Sequence, residues 1–215
     1  MKTFSSFVLL LVGVSLCAAQ EKTPGIAYPK VPDGGRQMVI ENVGRELRAH
    51  PDTLGGLRIE DLTVGEPHRE YFVGLTNLAS GHMLSAAASR SWRYLLMHGT
   101  NAVGAATLIA DGKDGNALKF NDLQHPFFPN ATLEALRAAG KLPQTKKQDY
   151  ELRYLGIPAL NFVAVWLHGE SDDILIPLPP TFGRFNDYQP YSESQIIKVL
   201  KKDAANVMKQ PNLLR

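Results

Sequence analysis

Cysteine is almost absent from this chain: Cys17 is its only thiol. A single cysteine closes no intramolecular disulfide, and it excludes zinc or iron–sulfur sites built from several thiolates. Long apolar runs are also missing. The longest, from Phe7 to Leu16, is about ten residues against the roughly 20 that a bilayer span needs. Strong charge of either sign is absent as well, with 23 Lys and Arg against 21 Asp and Glu. That balance argues against nucleic acid or an anionic membrane as partner. No Gly-x-Ser-x-Gly elbow is present. The nearest thing to an EF-hand loop, Asp111–Asn116, has Lys113 and Gly115 where oxygen ligands belong, so it reads as a turn.

The first nineteen residues have the pattern of a secretory leader. Lys2 gives a positive start, the run to Leu16 an apolar centre, and Cys17-Ala18-Ala19 a small-residue cleavage site. The expectation is export to the periplasm or the extracellular medium with cleavage near Ala19, leaving a cysteine-free mature chain. Lipidation at Cys17 is the competing fate. Leu16 stands where a lipoprotein signal requires a small residue, which favours cleavage.

Residues 20–35 carry Pro24, Pro29, Pro32 and three glycines and read as an extended arm. Residues 36–215 read as one domain. A helix follows the arm, opened by Asp33 or a neighbouring glycine. Val39, Val43 and Leu47 form its apolar stripe, and His50-Pro51 ends it. Leu57–Val64 and Glu70–Thr76 read as strands separated by Gly65-Glu66-Pro67. A hairpin pairs Trp92–His98 with Ala102–Ala110 around Gly99-Thr100-Asn101. Its second arm contains Gly104, Ala105 and Ala106, small enough for a helix to approach closely. Asn130 or Thr132 caps a short helix, Leu133–Ala139, closed by Gly140. A second hairpin runs from Tyr150 to His168, kinked at Gly156 and Pro158, and returns over Ile174–Leu178, where Pro177 marks an edge. Ser192 and Gln195 form a capping box ahead of the apolar series Ile196, Leu200, Ala204 and Val207, with Pro211 closing that helix.

The pattern predicts an α+β fold: a curved antiparallel sheet of about five strands built from two long hairpins. The N-terminal and C-terminal helices cover one face, and loops around Phe127 and Phe182, or a partner subunit, cover the other. Trp92 and Trp166 read as core.

Few residues point to chemistry. Glu66, His68 and Glu70 alternate and would share one strand face, a spacing that suits a carboxylate–imidazole metal site, but Pro67 disturbs it. His168, Glu170, Asp172 and Asp173 crowd a hairpin tip that reads as a soluble acidic turn rather than a calcium loop. Ser85, Ser89 and Ser91 lie near His82 and His98 without the frame of a serine hydrolase. Neither a metal site nor a cofactor is expected. His125-Pro-Phe-Phe-Pro-Asn130 is the oddest segment: proline on both sides stiffens Phe127 and Phe128, which read either as rings roofing the core from a loop or as a rigid aromatic lip for recognition. Asn130-Ala-Thr132 is also an N-glycosylation sequon in a eukaryotic host.

Two functional classes follow. The first is an exported, non-enzymatic binding or protein-interaction module, taking a protein or small-molecule partner through Phe127 and Phe128. It requires those rings to be exposed. The second is an exported hydrolase with an acid–base site drawn from Glu66, His68, Glu70 and His82. It requires these groups to converge in a cleft.

Overall fold

The computed structural model describes residues 23–111 and 117–209. A two-residue strand, β1 (Ile26–Ala27), leads into helix α1 (Gly35–Ala49). There follow β2 (Thr63–Phe72), α2 (Leu75–Ala79), β3 (Ala88–His98), β4 (Asn101–Asp111) and β5 (Ala117–Gln124). Helix α3 (Phe127–Ala139) separates these from β6 (Tyr150–Ile157), β7 (Phe162–His168) and β8 (Asp173–Pro177), and α4 (Glu193–Met208) ends the described chain.

The fold is α+β, but the sheet is larger than expected and mixed. Eight strands run in the order β5-β4-β3-β2-β6-β7-β8, with β1 also paired to β6. Two antiparallel meanders, β2–β5 and β6–β8, meet along a parallel seam between β2 and β6. Local pattern cannot reveal such a seam, because its two strands lie some eighty residues apart in the chain.

Three local differences account for the extra strands. The apolar run read as one long arm from Tyr150 reverses at Pro158–Leu160, a short 3-10 turn followed by Asn161 in the left-handed region (φ 46°). Asparagine tolerates that conformation, so the run becomes β6 and β7. Second, Ala117–Gln124 forms β5, whose polar composition gave it no strand signal; Leu118 and Phe120 turn toward α1. Third, the arm at the start is paired rather than free. Ile26 lies opposite Tyr150, and the Tyr150 amide donates to the Gly25 carbonyl at 2.9 Å. Gly25 has φ +72° and sits against the Thr145 backbone, where no side chain fits.

The segment Leu57–Val64 is not a strand. Ile59–Asp61 is a 3-10 turn, and β2 starts only at Thr63. Gly65-Glu66-Pro67 does not interrupt β2 but forms a register shift within it, as proline at a bulge allows. The strand expected to reach Thr76 stops at Phe72, and α2 begins at Leu75. Residues 112–116 of the turn that starts at Asp111, the expected leader 1–19 and the helix stop at Pro211 lie outside the described residues.

Both faces are covered, each for a legible reason. On one face α1 lays Val39, Val43 and Leu47 over Trp92, Tyr94 and Leu96. On the same face α4 lays Ile196, Leu200 and Ala204 over Leu155, Trp166 and Leu175. Gly35, the first residue of α1, lets the helix start directly on Tyr94: a Cβ there would stand 2.5 Å from the Tyr94 hydroxyl. The other face belongs to α3, which sets Ala131, Ala135 and Leu136 against Ala102, Ala105, Leu152 and Val165. The small residues of β4 do admit a helix, and that helix provides the cover that loops or a second subunit were expected to supply. Each fully buried Leu or Val in these layers contributes about 1.5–3 kcal/mol. No helix among the described residues is long and apolar enough to cross a membrane.

The start of α4 tests whether local capping matters in this framework. The Ser192 hydroxyl accepts from the Gln195 amide, and the Gln195 side chain accepts from the Ser192 amide at 2.8 Å. Ser192→Ala removes one half of this box and is expected to lower stability by about 1 kcal/mol, read as a shift of the urea midpoint with unchanged slope.

Candidate functional site

The buried polar groups of the sheet lie on β2 and the strands beside it: His68 and Glu70 on β2, Ser91 and Arg93 on β3, and Thr107 on β4. On the face under α3, Glu70 of β2 lies opposite Ser91 of β3 on one side and Tyr154 of β6 on the other. Arg93 is two residues beyond Ser91 on the same face. Its side chain is 0% exposed and that of Glu70 only 5%.

These groups form a connected cluster. Arg93 Nε lies 3.5 Å from Glu70 Oε1 and donates to Gln124 Oε1 at 3.2 Å. Arg93 Nη1 donates to the Thr132 hydroxyl at 3.0 Å, and Thr132 donates in turn to the Phe128 carbonyl at 2.8 Å. The guanidinium lies over the Tyr154 ring, 4.4 Å from its centroid. Ser91 donates to Glu70 Oε2 in a short hydrogen bond, and Thr107 does the same to Asp122. Burial raises the Glu70 carboxyl above its ordinary range, Arg93 and Ser91 pull it back, and nearby Asp122 pushes it up again. The buried cation therefore pairs with one carboxylate, Glu70, while Asp122 is bonded to Thr107.

Glu70 of this cluster lies in the floor of a groove of about 930 Å³. Glu70, Ser91, Thr107 and Asp122 form its polar base. Phe72, Ile109, Leu123 and Tyr154 line it, and Phe127, Phe128 and Pro158 rim it. A second hollow of about 330 Å³ continues the groove, sharing Phe72, Phe128, Tyr154 and Pro158 and adding Phe162 and Phe182. The exposed phenylalanines among the described residues line these two hollows: Phe127 is 58% exposed, Phe128 36% and Phe182 66%. Phe127 and Phe128 pack edge to face with centroids 5.2 Å apart.

The two phenylalanines thus sit at a concavity, but not on a proline-stiffened loop. They are the first two residues of α3, which begins six residues earlier than its spacing suggested. Pro126 stands at the N-cap and Pro129 in the first turn, where a missing N–H costs nothing. Neither Asn130 nor Thr132 caps the helix. Asn130 is exposed on its first turn, and Thr132 is buried against Arg93.

The other candidate residues disperse. Of Glu66, His68, Glu70 and His82, only Glu70 reaches the groove. Glu66 falls in the bulge and pairs with Arg36 at 3.3 Å. His82 is exposed in the loop after α2. His68 shares the Glu70 face but is completely buried, and no side chain is hydrogen-bonded to its ring. Burial and the neighbouring Arg93 push its imidazole down to about 3, so it stays neutral and has no proton to supply at ordinary pH. At the hairpin tip the carboxylates are already occupied. Asp173 accepts from Trp166 Nε1 at 2.7 Å and from His168 Nδ1 at 2.8 Å, and Asp172 accepts from Tyr150 and Gln148, each at 2.7 Å. Among the described residues no group of three His, Cys, Asp or Glu is placed to hold a metal ion. Ser91 pairs with Glu70 rather than with either histidine, and Ser85 and Ser89 are exposed.

Arg93 is the residue that the sequence offered and the candidate set passed over. A lone charge within Trp-Arg-Tyr-Leu-Leu-Met is a signal in itself: a strand buried on both faces admits a cation only if a partner awaits it.

The chain matches no protein-family model, no curated protein and no solved structure, so the site stands on its own geometry.

Two measurements test this geometry. Arg93→Met leaves Glu70 buried without its cation and is expected to destabilise by about 3–5 kcal/mol; adding Glu70→Gln is expected to recover much of that loss, as a double-mutant cycle on urea midpoints will show. His68 gives a pH signature. Its folded value is depressed, so the unfolded chain binds the extra proton below about pH 6.5, and stability falls as the pH drops from there toward about 3. The expected contribution is about 1.4 kcal/mol per pH unit in that window. The raised Glu70 acts in the opposite sense. The difference between wild type and His68→Phe isolates the histidine, and that difference is expected to lose its slope above pH 7.

Proposed function

We propose that this protein is an exported, non-enzymatic binding module, and that its ligand lies in the groove between the α3 end of the sheet and the Phe127–Phe128 rim. The observation that carries this reading is the coincidence of two exposed phenylalanines, Phe127 and Phe128, with a groove of about 930 Å³, beside a second hollow lined by exposed Phe182. Large apolar side chains left in water are costly unless something covers them, and the groove's volume suits a small molecule or a short peptide segment. The base adds selectivity. Arg93 and Ser91 hold Glu70, and Thr107 holds Asp122, so a ligand meets a preset polar surface at little ordering cost.

The groove favours an amphipathic ligand: an apolar or aromatic body against Phe72, Phe127, Phe128 and Tyr154, and a hydrogen-bond donor toward Asp122 and Gln124. The same geometry disfavours hydrolysis. The one buried carboxylate at the base is held by an arginine and a serine, and the only buried histidine is neutral and unconnected to it. An acid–base pair would require two titratable groups free to exchange a proton with substrate.

A neutral aromatic probe such as N-phenyl-1-naphthylamine tests the reading. Fluorescence enhancement is expected to saturate at one site per chain. The double variant Phe127→Ala/Phe128→Ala is expected to weaken binding by about tenfold or more, since each ring contributes on the order of 1 kcal/mol or more of contact. Both rings are partly exposed, so the variant's urea midpoint should change little. Unaltered affinity in a folded double variant would remove the groove as the binding site.

A further inference from the structure

The opposite face of the same seam carries an arrangement that the groove does not use. Arg69 of β2 and Arg153 of β6 are direct partners across the parallel pair. Their outer neighbours in the same row are the two tryptophans: Trp92 opposite Arg69, and Trp166 opposite Arg153. The row across the sheet therefore reads Trp92, Arg69, Arg153, Trp166. Each guanidinium lies on its flanking indole, with Cζ 4.5 Å from the Trp92 ring centroid for Arg69 and 4.6 Å from the Trp166 centroid for Arg153. Tyr71 contacts Arg153 as well, at 5.0 Å.

Like charges placed directly opposite in a sheet repel. Something must offset them, and only part of the offset is present. Glu151 pairs with Arg153 at 2.8 Å. Arg69 has no hydrogen bond or ion pair among the described residues, although it is half-buried. The rings hold both guanidinium planes in place and shield their faces from water, which leaves the N–H edges as the groups still to be satisfied. α1 and α4 cover the two ends of this face and leave its middle to the arginines.

We propose that Arg69 and Arg153 form an oxyanion site, taking a phosphoryl or carboxylate group between two guanidinium forks held in place by Trp92 and Trp166. Arginine suits this role because its planar fork matches both anions in two parallel hydrogen bonds. Stacking on an indole fixes that fork in advance, so less rotamer freedom is lost on binding. Glu151 holds one arginine and leaves the other to supply net positive charge. This site is separate from the groove and does not depend on it, because residues 69 and 70, and 153 and 154, point to opposite faces of the sheet.

The chain contains only two tryptophans, and both belong to the proposed site, so intrinsic fluorescence reports on it directly. The experiment titrates inorganic phosphate, sulfate and acetate into the full chain at constant ionic strength, held with sodium chloride, following tryptophan emission and the thermal midpoint together. Saturable emission change with a rise in midpoint is expected for phosphate. A matching response to acetate assigns carboxylates to the site too, and its absence confines the site to tetrahedral oxyanions. Arg69→Gln is expected to weaken the response by about tenfold or more. Arg69→Lys, which keeps the charge but loses the fork and serves if the first variant does not fold, is expected to weaken it severalfold. An emission change that tracks ionic strength alone in the wild type overturns the proposal, as does an undiminished response in a folded Arg69 variant.

Discussion

The parallel pairing of β2 with β6 is the constraint on which the rest of this structure depends. Each half of the sheet is an antiparallel meander that could form from neighbouring segments. Joining them brings Arg69 beside Arg153 and Glu70 beside Tyr154, and commits charged residues to the middle of an eight-stranded sheet. A charge in that position needs partners, because the adjacent strands exclude water. Under α3 the partners are supplied within the chain: Arg93 meets Glu70, Thr132, Gln124 and the Tyr154 ring. On the other face aromatic rings take their place.

The two faces solve the same problem with different chemistry. Beneath α3 the charges lie deep and cancel, so they stiffen the base of a groove without carrying strong net charge to its surface. Asp122 tilts that balance slightly negative. Between α1 and α4 the charges are alike, and stacking on indoles spreads their cost without cancelling it. A groove with exposed phenylalanines and a row of paired arginines thus lie back to back, sharing strands but not surfaces. Helix placement sets this division. α3 covers one face and its first turn borders the groove, whereas α1 and α4 leave the arginine row between them.

Elements announced by local chemistry were legible in the amino-acid pattern. The stripe of α1, the capping box of α4, the β3–β4 hairpin and the burial of both tryptophans all rest on contacts within a few residues or on simple periodicity. What failed was of two kinds. Weakly marked segments such as β5 became strands because an edge was waiting for them. The reversal at Pro158–Leu160 looked like a kink, because a tight turn and a kink share the same residues. The start of α3 was missed because Phe-Phe-Pro looks like a rigid loop, although proline is well tolerated in the first turn of a helix.

By itself the sequence determined the class of the molecule: an α+β domain near charge balance, with both ends of α1, the stop of α3 and the start of α4 marked, and with Phe127, Phe128 and Glu70 already conspicuous. Tertiary structure alone decided which of these residues meet. Glu70 lies next to Arg93 and not to a working histidine, and Arg69 lies next to Arg153, because the register of one long-range parallel seam places them there. Nothing within a single strand encodes that register. It belongs to the fit between two meanders and their covering helices, and side chains distant in the chain are neighbours only through that fit.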